Sequence, residues 1–433
     1  MAAASIAALA LLPACAASTS LAQTSAERPL PTAISEEAAA EAFDAFLTIE
    51  RDRLRTMAQS DRVAAAFLGL MDRREGSADA MMQIVRSMPA GELKDRMFFI
   101  AAGQLIAEHR WADVAAASEA NGMTNLADFA RPYANWPDAS VDYNGVEVTE
   151  VPFDGLRIPA QLNGVDIEIA FDTGAPGVGV HRDFIDLLET DGSAPQTYAL
   201  PAFDIVATKH HALVGSLTIG DITLRNVAAS VGLPPETPED QAKFERMDQI
   251  VGRYDIIMGL DALRPFFEVI EFDYNRDVVR LIRRDPRPRA EANMLMGAGR
   301  KPLIRMRTQN RIGNYYIDTG SYGHLLGEGA FDIRECDAQR TMTAPWREIA
   351  ETRVSVGFED QPPVEIWAQP TSVVTEPEWD LFGYIGNPRS GVYRIDVRDG
   401  HFAFEDYSSE GLDSLWPISA EREGSCAPAA PMP

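Results

Sequence analysis

Two segments of the chain repeat one another, both in sequence and in the order of the elements downstream of each, and this limits its fold more than any other feature. The first reads Ile167-Glu168-Ile169-Ala170-Phe171-Asp172-Thr173-Gly174-Ala175, the second Gly313-Asn314-Tyr315-Tyr316-Ile317-Asp318-Thr319-Gly320-Ser321. Each is a strand-like apolar stretch closed by Asp-Thr-Gly and a small residue. Downstream, Ile256-Ile257-Met258-Gly259 leads to two more apolar runs, at 269–274 and 278–281. In the second half Phe382-Gly383-Tyr384-Ile385-Gly386 leads in the same way to runs at 393–397 and 401–404. One Asp-Thr-Gly is a weak signal. Two of them, each after a strand and each followed by the same series of elements, imply an internal duplication and hence two similar β units in tandem.

The surroundings agree with this organisation. Val165, Ile167 and Ile169 alternate as on one face of a strand, and Gly220-Asp221 between alternating runs marks a hairpin. Upstream, residues 35–130 read as helical. Ser35 before Glu36 and Glu37 is a helix start, because a hydroxyl cap and first-turn acids satisfy exposed amides. Phe43, Phe46, Leu47, Leu54 and Met57 follow at helical spacing, and further helices are expected near 60–73, 77–88, 92–109 and 111–120. Gly76, Pro89-Ala90-Gly91 and Asn121-Gly122 break them. Met81, Met82 and Met88 read as core filler. Pro132 and Pro137 mark the edge between the helical and β parts. The expected domains are a signal peptide at 1–22, a helical domain at 35–130, lobes at 145–285 and 300–406, and a tail at 407–433.

Residues 145–405 resemble the two lobes of an aspartic protease of the retropepsin or pepsin kind, joined in one chain and nearer to retropepsin size. The resemblance implies a mainly β fold, with two-lobed aspartic-protease-like β-barrels in pseudo-twofold duplication behind a small all-α domain. It implies that Asp172 and Asp318 form the catalytic pair. Thr173 and Thr319 would then hydrogen-bond across the lobe interface, and Gly174 and Gly320 would allow close approach of backbone and substrate. The segment from Thr190 to Val214 corresponds to the substrate-covering flap, with Tyr198, His210 and His211 as contacts; an ordinary surface loop is the alternative. His181 and His324 follow the two motifs at unequal offsets and read as structural.

Two carboxyls suit the chemistry. Peptide hydrolysis needs one carboxylate to take a proton from water and one acid to protonate the carbonyl oxygen. Carboxyls a few ångströms apart share a proton and supply both roles. No cofactor is required, and the six histidines show no metal-binding spacing. The expected function is an exported aspartic endopeptidase acting on peptide or protein substrates. The rivals are a non-catalytic peptide-binding protein on the same scaffold, and a homodimeric protease using only the first Asp.

Composition excludes other partners. The 65 Asp+Glu against 39 Lys+Arg give a net charge of −26, which disfavours nucleic acid and anionic membrane surfaces. Residues 1–26 carry no charge, and the short Ala/Leu-rich run from Ile6 to Ala17 suits a signal peptide cleaved before Gln23, not a transmembrane span. Leu12-Pro13-Ala14-Cys15 offers a second reading, a lipid anchor at Cys15. Either places the protein in the periplasm or outside the cell. Cys336 and Cys426 would remain, as a disulfide or as two separate thiols. Residues 276–311 hold eleven Lys/Arg against three Asp/Glu, either a strap docked on an acidic lobe or gathering acidic substrate, or a solvated linker. The helical domain is either a removable prosegment or a module that binds another protein.

Overall fold

The computed structural model describes residues 34–190, 192, 196–200, 205–233, 237–251, 254–296, 301–321, 323–327, 329–334, 337–344, 347–358, 362–371, 379–387, 390–405 and 418–425. The cysteines at 15, 336 and 426 and the proposed signal segment lie outside them.

Seven helices form the N-terminal region: Glu36–Leu47, Arg51–Met57, Arg62–Met71, Ser77–Ser87, Glu92–Ala107, Trp111–Ala120 and Thr124–Ala130. Ser35 caps the first through its hydroxyl, which accepts from Ala38 N–H. Phe43, Phe46, Phe67, Phe98 and Leu105 fill the core at helical spacing, and Met81, Met82 and Met88 are buried among them. The last of these helices lies within the stretch expected to be helical but was not placed individually, its seven residues being too few for a periodic signal. Nor was Pro238–Val251, a mostly polar helix inside the first lobe.

The β part consists of two closed six-stranded barrels. In the first, Arg157–Leu162, Val165–Phe171, Ile256–Met258, Val178–Val180, Ile222–Leu233 and Ile205–Ile219 pair in that order, and the last pairs back with the first. In the second the ring runs Pro302–Arg307, Ile312–Ile317, Leu381–Ile385, His324–Gly327, Val364–Thr371 and Arg347–Phe358, closing on Pro302–Arg307. Corresponding strands hold corresponding places, so the sequence repeat is a structural one. Ile167, Ile169 and Phe171 point inward with period two, whereas Val165, on the same face but first in the strand beside the hairpin turn, is 42% exposed. Gly220-Asp221 makes the expected hairpin, with Ile219 opposite Ile222.

A five-stranded sheet joins the lobes, in the order Val148–Pro152, Val278–Ile282, Val269–Asp273, Val392–Asp396 and His401–Glu405. At its centre Glu271 lies opposite Arg394 and pairs with it, both buried. The cationic segment docks on this sheet. Arg276 pairs with Glu150, Arg280 with Glu271, Arg287 with Glu405 and Arg289 with Asp399, so these cations meet acids of both lobes.

The helical region shares a core with the second lobe. Leu295, Leu303, Tyr316, Trp379 and Leu381 belong to the same buried cluster as the helices, and Asn314 Nδ2 donates to Leu47 O at 3.0 Å. It also rests on the first lobe, where Tyr133 donates to Ala229 O at 2.8 Å and His109 stacks on Phe266. The proline-flanked edge at 132–137 is therefore pinned, with Tyr133 buried in the junction.

Candidate active site

Both Asp-Thr-Gly loops leave the barrel at the ends of equivalent strands and meet between the lobes. Asp172 N–H donates to Met258 O at 2.9 Å, and Asp318 N–H donates to Ile385 O at 2.8 Å. Each apolar-apolar-Gly element thus runs parallel to the strand that carries an aspartate, and fixes where that aspartate emerges. Within the loops, Gly174 N–H donates to Asp172 Oδ1 at 2.8 Å and Gly320 N–H to Asp318 Oδ1 at 3.1 Å.

Between the loops the contacts are reciprocal. Thr173 N–H donates to Thr319 Oγ1 and Thr319 N–H to Thr173 Oγ1, both at 3.0 Å. Each hydroxyl in turn donates to the carbonyl that precedes the opposite aspartate: Thr173 to Ile317 O and Thr319 to Phe171 O, both at 2.7 Å. A Cβ on Gly174 would fall inside the Asp318 carboxyl, and one on Gly320 inside the Asp172 carboxyl. Both glycines are therefore required by close approach. Each carboxyl lies over the other loop's glycine, which brings the two acids face to face.

Electrostatics follow from this placement. Burial, then the charge of the facing Asp172 and a hydrogen bond with it, push the Asp318 carboxyl well above the usual carboxylate range. Lys301 and the Gly320 N–H act in the opposite direction.

Two supports were not read as site residues from sequence. Asp261, buried just after Gly259, accepts from Gly177 N–H at 2.7 Å and holds the far side of the first loop. Asn387 follows Gly386. Its backbone N–H donates to Ser321 O at 3.1 Å, and its side-chain amide donates to Gly155 O in the other lobe. An acid two residues after the first apolar-apolar-Gly element and an amide directly after the second were the available signals. Gly383, three residues before Gly386 in the same strand, is also required by close approach, since a Cβ there would meet Leu325 O.

Gln196–Leu200 and Ile205–Ile219 form a hairpin, the expected location of the flap. The side chain of Tyr198 lies outside the described residues; its backbone pairs with Ala207. His210 is half-buried and pairs with Val231. His211 does not suit a substrate contact. It is 1% exposed and packs edge-on against Tyr133, with ring centroids 4.9 Å apart, and against Phe129. Strand alternation turns it toward the face that the helical region covers. His181 accepts from Asp183 N–H and His324 is buried in the second barrel, both structural positions.

Residues 158–260 match the model of an aspartyl protease family. The match lies within the first lobe and supports a likeness of the two-barrel unit to the aspartic proteases. Among solved structures, a retropepsin-like aspartic protease from Rickettsia conorii aligns at 18% identity over 34% of this chain and 94% of that chain, with a TM-score of 0.20. Basic 7S globulin from soybean aligns at 8% identity over 61% and 95%, with a TM-score of 0.41. No curated protein matches the chain. Family and fold together support protease function in general terms.

Proposed function

We propose that the protein is an aspartic endopeptidase whose catalytic pair is Asp172 and Asp318. The observation that carries this reading is the reciprocal seating of the two carboxyls, each over the glycine of the opposite loop. One shared proton is the consequence of such closeness. The ionised carboxyl takes a proton from a water held between the two, and the oxygen of that water bonds to the peptide carbonyl carbon. The protonated carboxyl gives its proton to the carbonyl oxygen, forming a tetrahedral diol. Proton transfer to the amide nitrogen then accompanies C–N cleavage, leaving a carboxylic acid and an amine. The pair's titration belongs to both residues together.

The pairing of Thr173 with Thr319 of the same chain supports an intramolecular site over a homodimer, because it fills the surface that a second copy's loop would use. The uncharged Ala/Leu-rich N-terminus supports export as part of the same reading, and cell fractionation tests it. Activity is tested by digestion of a peptide library from acidic to neutral pH. Asp172→Asn and Asp318→Asn should each abolish cleavage. Hydrolysis that survives Asp318→Asn would overturn the intramolecular pair. Peptide binding without cleavage by the unaltered protein would favour a binding scaffold.

A further inference from the structure

The two halves of the site are not electrostatically equal. When the Asp-Thr-Gly strands are superposed by register, Leu303 opposite Tyr316 corresponds to Arg157 opposite Ala170. Lys301, one of four lysines in the chain, then takes the place that Gly155 holds in the first lobe. The Lys301 ammonium lies over two tyrosine rings, 5.1 Å from the centroid of Tyr316 and 5.7 Å from that of Tyr384. The rings are 5.5 Å apart and form a platform beneath it. Tyr316 is two residues before Asp318, on the same face of its strand and roughly 6–7 Å along it. Tyr384 is two residues before Gly386, in the neighbouring strand that receives the Asp318 N–H at Ile385.

Among the described residues no carboxylate forms an ion pair with Lys301, so the cation–π seat is what holds it. That seat is built in part by the helical region, whose core cluster includes Tyr316 and has Tyr384 packed against it. Farther along the same outer face Arg305 and Asp380 pair with each other and leave little net charge. The charges that act on the Asp318 carboxyl are then those of Asp172 from the opposite loop and Lys301 from its own lobe.

We propose that Lys301 is a positioning charge for the aspartate pair, held by the Tyr316–Tyr384 platform, and that it places the range in which the pair is singly ionised at lower pH. This deepens the reading of the pair as catalytic and rests on it. A fixed cation lowers the cost of each negative charge placed beside it, so it moves both proton losses of the pair to lower pH. Removing it should move both limbs of the pH–rate profile upward. Activity is then lost sooner on the acidic side and persists further on the neutral side.

The test is the pH dependence of kcat/KM for the full chain and three variants. Lys301→Met should shift both limbs upward by about half to one pH unit. Lys301→Arg, which keeps the charge and stacks on the same rings, should leave both limbs in place. Tyr384→Leu, which removes one ring of the platform, should shift them in the Lys301→Met direction by less. A Lys301→Met profile that superimposes on the original would overturn the proposal, as would an equal shift in Lys301→Arg. The same comparison can be made without turnover, on 13C-carboxyl-labelled aspartate, using the signal that Asp318→Asn removes. Absence of hydrolysis with a Lys301-dependent Asp318 titration would sink the protease reading and leave only the electrostatic coupling of Lys301 to the pair. An Asp318 titration that ignores Lys301→Met would do the reverse.

Discussion

Thr173 and Thr319 hold the two lobes together through four hydrogen bonds that run both ways across one boundary. Both side chains are buried, so water cannot replace a lost partner. Valine at either position keeps the shape and strands one carbonyl and one N–H. Each stranded group costs about 1–3 kcal/mol. Thr173→Val and Thr319→Val should therefore lower stability by similar amounts, about 2–6 kcal/mol. Serine at either position should cost far less, since it keeps the hydroxyl. Urea unfolding of the four variants checks this. A near-neutral valine at one site only would show that the boundary is not held symmetrically.

The glycines of the two loops give a crossed expectation. Gly174 lies against Asp318 and Gly320 against Asp172, so an alanine in either lobe displaces the acid of the other. Misplacing a reacting group by about 1 Å costs on the order of 100-fold in rate. Gly174→Ala and Gly320→Ala should each reduce kcat/KM by that order. The displaced acid should be identifiable by crystallography as the one across the boundary. Retention of full activity by either variant would contradict the closeness of the pair.

The helical region is packed into the second lobe as part of one core, which bears on whether it can be shed. Phe43 meets Trp379 with ring centroids 6.0 Å apart, and Trp379 is only 9% exposed. A large aromatic residue so placed costs about 3–5 kcal/mol when cut to alanine. Trp379→Ala should lower the stability of helices and barrels together, in one transition seen alike by circular dichroism and tryptophan fluorescence. The active species on a gel should still contain residues 36–130. Two separate transitions, or a fully active species lacking the helices, would restore the prosegment reading.

What could be foreseen depended on the range of the interactions involved. The duplication, the Asp-Thr-Gly strands and the Gly220-Asp221 hairpin are local patterns of apolar alternation and turn chemistry, and they are legible in the sequence. The meeting of the two loops came from the resemblance, since 146 residues separate Thr173 from Thr319 and no local pattern links them. His211 departs from the flap expectation because its burial is decided by Phe129 and Tyr133, which approach from another part of the chain. Lys301 is silent in the sequence for the same reason. Its platform is formed by Tyr316 and Tyr384, and sequence places neither beside it.

His324 links this architecture to pH. It is buried, and burial first, then the Arg340 charge, push its imidazole down to about 4 from an ordinary 6.5. The unfolded chain therefore binds a proton between these values that the folded chain refuses, so stability falls as pH drops from about 6.5 to about 4. The contribution is fully present above that window. Asp318 works the other way: its raised value favours the folded state at low pH, and that contribution is lost as pH rises through it. An acidic working range would thus set the protonation needs of the aspartate pair against the stability of the second barrel. His324→Gln removes one side of this opposition. Between pH 7 and pH 5 it should lessen the fall in unfolding free energy by about 2 kcal/mol, read from urea curves of both proteins at both pH values. An identical fall in the two proteins would mean that the imidazole is not what opposes acid.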